Sequence, residues 1–154
     1  MDFEVPEEIE QVRDEVRRFG ENEIKPVATE YDEQEKYPWE IMDKAKEMGM
    51  LGAQLPVEYG GAGYSTLELA IISEELFAID PGIALCITST SFGADSILEF
   101  GTEEQKEEYL PPITEGEAIM GAAISEPDTG SDVSSVSTHA EKDGDEWVIN
   151  GNKM

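Results

Sequence analysis

AIMGAAISEPDTGSDVSSVSTHAEKDGDEWVING (118–151) is where the chain changes character. Residues 118–125 are small and branched apolar residues without a charge, and such a run predicts a buried strand. EPDTGSD (126–132) follows as a loop. Val136, Thr138 and Ala140 then alternate along one arm of a predicted β-hairpin, with Asp143-Gly144 as its turn and Trp147, Val148 and Ile149 on the other arm. Trp147 is expected in the hairpin core, and His139, the only histidine, on a polar surface. Two strands and one apolar run cannot bury a sheet face by themselves. The chain therefore reads as truncated inside a β domain that begins at about residue 117.

Everything before that point reads as helical, so the fold class is mainly α. Residues 1–116 form one helical domain and 117–154 the opening of a β domain. Pro6 suits a first helical turn, and Glu7 and Glu8 complement the dipole behind it. Ile9, Val12, Val16 and Phe19 recur at helical spacing. The phase slips near Gly20 and resumes at Ile24, Val27 and Tyr31, with Pro26 as a kink or restart. A second helix is predicted from Trp39 to Met48, before a glycine-rich loop in PVEYGGAGYS (56–65). Ser65 and Glu68 make a capping box for a third helix over 66–79, which Asp80-Pro81-Gly82 breaks. A fourth helix is predicted over 83–100. From Pro81 to Ala94 it carries no charge, in a chain that is 30% charged, so it should be buried on most sides. Thr102 and Gln105 cap a fifth helix that stops at Pro111-Pro112.

The charge balance narrows the partners. Thirty-six acidic side chains face ten basic ones, a net charge of −26 spread along all 154 residues. Such a surface repels nucleic acid and anionic membranes. It suits a salt-adapted, halophilic host, where screening relieves self-repulsion. Cys86 has no partner for a disulfide or a CxxC metal site and is expected as a small core residue. MDFEVPEEIE lacks the basic and apolar regions of a signal peptide, and no apolar run approaches membrane-spanning length. A soluble cytoplasmic protein is expected.

The loop EPDTGSD has its own chemistry. A strand leading into Gly130 and Ser131 can gather backbone N–H groups and a hydroxyl at one point, a recipe for holding phosphate without basic residues. Neither GxxxxGK[ST] nor a strand–GxGxxG–helix fingerprint is present. On this chemistry alone the loop is first an ordinary surface turn and only second a phosphate cradle.

AISEPDTGSDVSS (123–135) with AEKDGDEWVINGNKM (140–154) resembles the flavin-binding signature of the acyl-CoA dehydrogenase family and the hairpin behind it. PVEYGGAG (56–63) is similar to that family's glycine-rich loop, and FGTEEQKEEYLPPITEGE (100–117) to its link from the helical into the β domain. The resemblance covers essentially the whole chain in order, and its last segment is the most specific.

The resemblance implies an N-terminal helical domain, a β-barrel-like middle domain and a C-terminal helical bundle, usually in a homotetramer. It implies FAD as cofactor, an acyl-CoA thioester as substrate, α,β-dehydrogenation within fatty acid metabolism, and an electron-transfer flavoprotein as acceptor. By position, Ala122, Ile124 and Ser125 match residues against the flavin, with Ser125 where the family often has threonine. Gly130 and Ser131 match the pyrophosphate contact, and Ser131 also matches a position near the CoA portion of the substrate. Asp128 and Thr129 stand where many members have Gly-Ala. Leu85, Thr88, Ser89 and Phe92 are candidates for the acyl slot, or else ordinary packing residues. The family's catalytic glutamate falls beyond residue 154, so none of the acidic residues here is expected to be the base. An acyl-CoA oxidase or flavin monooxygenase on the same scaffold, and a short non-catalytic binding module, are the other readings.

Overall fold

The computed structural model describes residues 5–154. The first four residues of the MDFEVPEEIE stretch lie outside the described residues. Two compact units divide between Gly121 and Ala122. The first is helical and the second is a loop with a hairpin.

In the helical unit, α1 (Glu7–Phe19) starts behind Pro6 with Glu7, Glu8 and Glu10 in its first turn, and ends with Arg17 and Arg18. Both ends thus match the helix dipole. The expected phase slip has a specific cause. Residues Gly20–Ile24 form one π-helical turn, closed by the Lys25 N–H donating to Gly20 O at 2.9 Å. The wider turn lets Phe19 and Ile24, five residues apart, both point inward, and both are buried. The chain continues as α2 (Ala28–Gln34) and α3 (Trp39–Glu47). The loop after α3 buries Met50, Leu51, Ala53, Leu55 and Tyr59.

The Ser65 N–H donates to the Glu68 carboxylate at 2.7 Å at the start of α4 (Thr66–Ile79). Asp80 then accepts from the Ile83 N–H at 2.8 Å and starts α5 (Pro81–Thr88), with proline at the first helical position. Here the single fourth helix over 83–100 is corrected. The helix stops at Thr88 and resumes only as α6 (Ala94–Phe100). The hydroxyls of the intervening stretch compete for backbone and side-chain partners. Thr90 Oγ1 donates to Ile87 O, the Gln54 amide donates to Ser91 Oγ at 2.6 Å, and the Met120 N–H donates to Thr90 O at 2.8 Å. The uncharged stretch is also less enclosed than expected. Ile83, Ala84, Ile87, Thr90, Ser91 and Ala94 are buried, but Leu85 and Phe92 are exposed. Cys86 is half-buried at the edge of the core rather than within it.

Thr102 and Gln105 cap each other reciprocally at the start of α7 (Glu103–Tyr109). The proline pair begins a one-turn α8 (Pro111–Thr114) instead of only ending α7. Two apolar clusters hold the unit. Val16, Phe19, Ile24, Ile41, Leu76 and Ile87 belong to the larger, and Leu55, Leu110 and Ile113 to the smaller. An ion cluster joins α1 to α4. Arg17 grips Glu75 with two bonds of 2.8 Å, and Arg13 reaches Glu75 at 2.9 Å and Glu74 at 3.0 Å. The Arg17 fork, aided by Arg13 and opposed by burial, holds the Glu75 carboxyl below the usual glutamate range.

In the second unit, β1 (His139–Asp143) pairs antiparallel with β2 (Glu146–Asn150), Ala140 opposite Ile149 and Lys142 opposite Trp147. The turn is Gly144-Asp145, one residue later than Asp143-Gly144. Only its first position has positive φ (64° at Gly144), the pattern of a type II′ turn. The first arm is correspondingly shifted, so Val136 and Thr138 precede the strand. Every residue of the hairpin is exposed, Trp147 at 65% and Ile149 at 72%. Trp147 is therefore not hairpin core, because a two-stranded ribbon has no opposing layer to cover it. His139 lies on the exposed surface. The predicted strand over 118–125 is not formed either. Met120 makes one isolated bridge with Ser91, and 121–125 are exposed and unpaired as strand. An apolar run becomes a strand only where a ladder partner exists.

Candidate flavin-contact loop

The loop at 122–138 is built around two carboxylates. Glu126 and Thr129 exchange backbone bonds of 2.9 and 3.1 Å across a four-residue turn, with Pro127 at the position where its fixed φ is favourable. Thr129 is buried, and its hydroxyl donates to Ser135 O at 3.1 Å. Asp132 caps the single 3₁₀ turn Val133–Ser135 by accepting from the Ser134 N–H and from the hydroxyls of Ser134 and Ser135. Those serine hydroxyls first, then the Ser134 N–H, hold the Asp132 carboxyl below its usual range.

Glu126 is the centre of the unit. It is a glutamate with only 6% of its surface exposed. One oxygen accepts from the Ser137 N–H and the Ser137 hydroxyl, each at 2.7 Å. The other accepts from the Thr138 N–H at 2.8 Å and lies 3.1 Å from the Lys153 ammonium. The Thr138 hydroxyl is buried close to the same carboxylate but makes no hydrogen bond among the described residues. That hydroxyl, the Ser137 N–H and hydroxyl and the Thr138 N–H hold the carboxyl far below the usual range, against the cost of burial. The Lys153 ammonium also donates to Ile124 O at 3.0 Å, and the Met154 N–H donates to Ser125 O at 3.0 Å. Gly151 lets the tail pass this close, since a Cβ there would run into the Thr138 side chain.

The five positions expected at a flavin all lie in this unit. Ala122, Ile124 and Ser125 are exposed and consecutive with the turn, Ile124 at 47%. Gly130 and Ser131 are exposed on the stretch between the turn and the 3₁₀ segment. Among the described residues, none accepts a hydrogen bond from the N–H of Gly130 or Ser131. A Cβ at Gly130 would meet nothing within 4 Å, so the α-carbon of this glycine faces open space. Two free N–H groups and a hydroxyl on a braced loop form a neutral donor set that fits a pyrophosphate. Asp128 is exposed in the turn.

The proposed acyl-slot residues divide. Thr88 borders a cleft of about 460 Å³ together with Met50, Gln54, Tyr64 and Asp95. Leu85 is 55% exposed, and Phe92 lies beyond the end of α5, so these residues do not share one helix face. Glu126 and Lys153 were not singled out from the sequence. The only local signal is that Glu126 is the first charge after an uncharged run over 118–125. Its partners lie 11, 12 and 27 residues onward, which no periodicity reveals. No group of three or more metal-capable side chains occurs among the described residues, and no helix there is long and apolar enough to cross a membrane.

A model of the family described as acyl-CoA dehydrogenase, N-terminal domain, matches residues 6–117. The chain belongs to the acyl-CoA dehydrogenase family. It is 43% identical, over all of its length, to a short-chain-specific acyl-CoA dehydrogenase of Clostridium acetobutylicum, and it spans 41% of that relative. It is similar to a glutaryl-CoA dehydrogenase from Mycobacterium smegmatis in complex with FADH2, with a TM-score of 0.87, 32% identity, and coverage of 97% of this chain and 39% of that one. A chain in the structure of the electron transferring flavoprotein of Acidaminococcus fermentans is similar with a TM-score of 0.86 and 36% identity, over 98% of this chain and 40% of that one. The chain thus spans about two fifths of the length of the relatives it matches.

Proposed function

We propose that this chain is the first part of an FAD-dependent acyl-CoA dehydrogenase. It comprises a helical domain and the opening of the flavin-binding β domain. The observation that carries this is the likeness, over 97% of the chain, to a glutaryl-CoA dehydrogenase bound to FADH2. In this reading Ala122 lies against the flavin, Ile124 and Ser125 contact its ring, and Gly130 and Ser131 donate to the pyrophosphate. Ser131 also stands near the CoA portion of the substrate. When bound, FAD supplies the acceptor for the hydride that leaves the acyl β-carbon. The residues of this chain position and enclose, and they do not take the α-proton. That step belongs to a carboxylate outside residues 1–154, tuned upward by a dry site. Electrons pass on to an electron-transfer flavoprotein, a partner suggested by the Acidaminococcus structure. The protein acts in the cytoplasm as a homo-oligomer.

The test is the absorbance of the full-length gene product, purified in high salt, before and after anaerobic addition of saturated acyl-CoA. Bleaching of the flavin band is the expected result. A yellow protein that no acyl-CoA bleaches points to another reaction on this scaffold, such as that of a flavin monooxygenase, or to a substrate not tried. An acyl-CoA oxidase would bleach as well and is told apart by fast reoxidation when air is admitted. A colourless protein ends the flavin reading.

The net charge of −26 belongs to the same proposal. Arg13, Arg17, Lys25, Lys44, Lys106 and Lys153 are all engaged by carboxylates, which leaves few cations to offset the remaining acidic surface. The protein is adapted to salt. Thermal stability falls as salt is withdrawn and the screening length grows from about 3 Å toward 30 Å. A melting temperature unchanged by desalting would refute salt adaptation.

A further inference from the structure

Glu126 has a role that the flavin reading does not require but that the geometry supplies. Four groups converge on its two oxygens, two on each: the Ser137 N–H and hydroxyl donate to one, and the other accepts from the Thr138 N–H and forms an ion pair with the Lys153 ammonium. Both oxygens are saturated, and the side chain is 4% exposed. The donors come from two directions. Ser137 and Thr138 lead into β1, whereas Lys153 lies three residues past the end of β2. The carboxylate therefore ties both ends of the hairpin to the residue that opens the turn. Lys153 carries the constraint one step further, because its ammonium also donates to Ile124 O. Beside it, the Met154 N–H holds Ser125 O. The carbonyls of two neighbouring residues are thus fixed from the hairpin side. With its carbonyls held, the segment's remaining freedom is in its N–H groups and the Ser125 hydroxyl.

We infer that Glu126 is the positioning residue of the candidate flavin segment, acting through Lys153 on Ile124 and through its turn on Gly130 and Ser131. This rests on the flavin reading. Glu126 itself touches no cofactor in this account. Its task is to hold the segment in one conformation before the ligand arrives, so that binding does not have to order it.

Glu126→Gln tests this sharply. An amide has one oxygen, so its NH₂ would face two of the four donors. The isosteric change keeps the volume and removes the acceptor pattern. The full-length gene product and its variants are stripped of flavin and titrated with FAD, following the quenching of flavin fluorescence and the position of the visible band. Glu126→Gln is expected to weaken FAD binding roughly ten-fold or more and to move the band, with helix content by circular dichroism unchanged. Lys153→Met removes the ammonium from Glu126 together with its bond to Ile124 O but leaves the Ser137 and Thr138 bonds in place, and is expected to show a smaller change in the same direction. Equal affinity and an identical band in Glu126→Gln would overturn the inference while leaving the flavin reading intact. If Glu126→Gln does not fold, an unchanged affinity in Lys153→Met overturns it instead. A wild-type protein that takes up no FAD overturns the flavin reading and this inference with it.

Discussion

In the helical unit the groups that hold the fold are apolar and dry, whereas in the loop and hairpin unit they are a carboxylate and a set of hydroxyls. Leu55, Leu76, Leu110 and Ile113 are completely buried between α-helices. Trp147, Val148 and Ile149, which are just as apolar, are exposed along β2. The same residue types thus do opposite things in the two units, because a helix pair can close over a side chain and a lone ribbon cannot. What orders the second unit is polar. Glu126 and Asp132 between them accept from Ser134, Ser135, Ser137 and Thr138, and Glu126 also pairs with the Lys153 ammonium. Apolar burial resists water and tolerates pH. A carboxylate hub depends on its charge.

The contrast is tested most strongly by truncating a core side chain. Leu76→Ala leaves a cavity where no surface is exposed and should cost about 2–5 kcal/mol in urea unfolding followed by helical circular dichroism. A cost below about 1 kcal/mol would mean that the helical unit is held by something other than its core. Next is Glu75→Gln, which keeps the shape but removes the charge that Arg13 and Arg17 share. The loss should be about 1–3 kcal/mol in the same assay, smaller than for the core because Arg17 is half exposed and partly solvated already. A neutral result would reduce the cluster to a solvated surface network.

Those two sites also show what the sequence makes legible. Features set by neighbours along the chain could be read. The slip after Phe19 marked the π-helical turn, because apolar spacing changes from three or four residues to five. Ser65 with Glu68, and Thr102 with Gln105, announced their helices through a three-residue pattern. The hairpin was legible from Gly144, with its turn misplaced by one residue because both Asp143-Gly144 and Gly144-Asp145 are good turn pairs. Features set by distant partners could not be read. The break between α5 and α6 depends on Gln54 and Met120 meeting Thr90 and Ser91. The burial of Trp147 was over-predicted because aromatic content indicates preference for a core, not the presence of one. The central place of Glu126 was invisible among thirty-six acidic residues, since what distinguishes it is the set of donors around it.

Acid separates the units by a smaller effect. The Glu126 carboxyl is held far below its ordinary value in the folded chain. Its contribution is therefore fully present above the unfolded value of about 4.3 and is lost as pH falls below it toward the folded value. NMR signals of the Ser137 and Thr138 amides should hold steady from neutral pH down to about 4.3 and move only well below it. Movement centred on an ordinary glutamate titration would show that the carboxylate is not held as the geometry indicates. Glu75 is depressed by its arginines in the same direction, so acid weakens the joint between α1 and α4 as well. Glu126→Gln distinguishes the two, since it should abolish the acid response at Ser137 and leave that at α4.

The smallest expected effect is at the most conspicuous residue. Trp147 is a tryptophan at 65% exposure, opposite Lys142 on a ribbon with no covering layer. In this chain Trp147→Ser should change stability by no more than about 0.5 kcal/mol, as for a surface site away from caps and buried pairs. In the full-length protein, where the proposed β domain would supply further strands, the same substitution should cost about 3–5 kcal/mol if those strands cover the ring. The difference between the two measurements isolates what a sheet layer contributes to one side chain. Equal small costs in both would place Trp147 on the outer surface of the complete domain, and equal large costs would mean that the ribbon is already covered in the short chain.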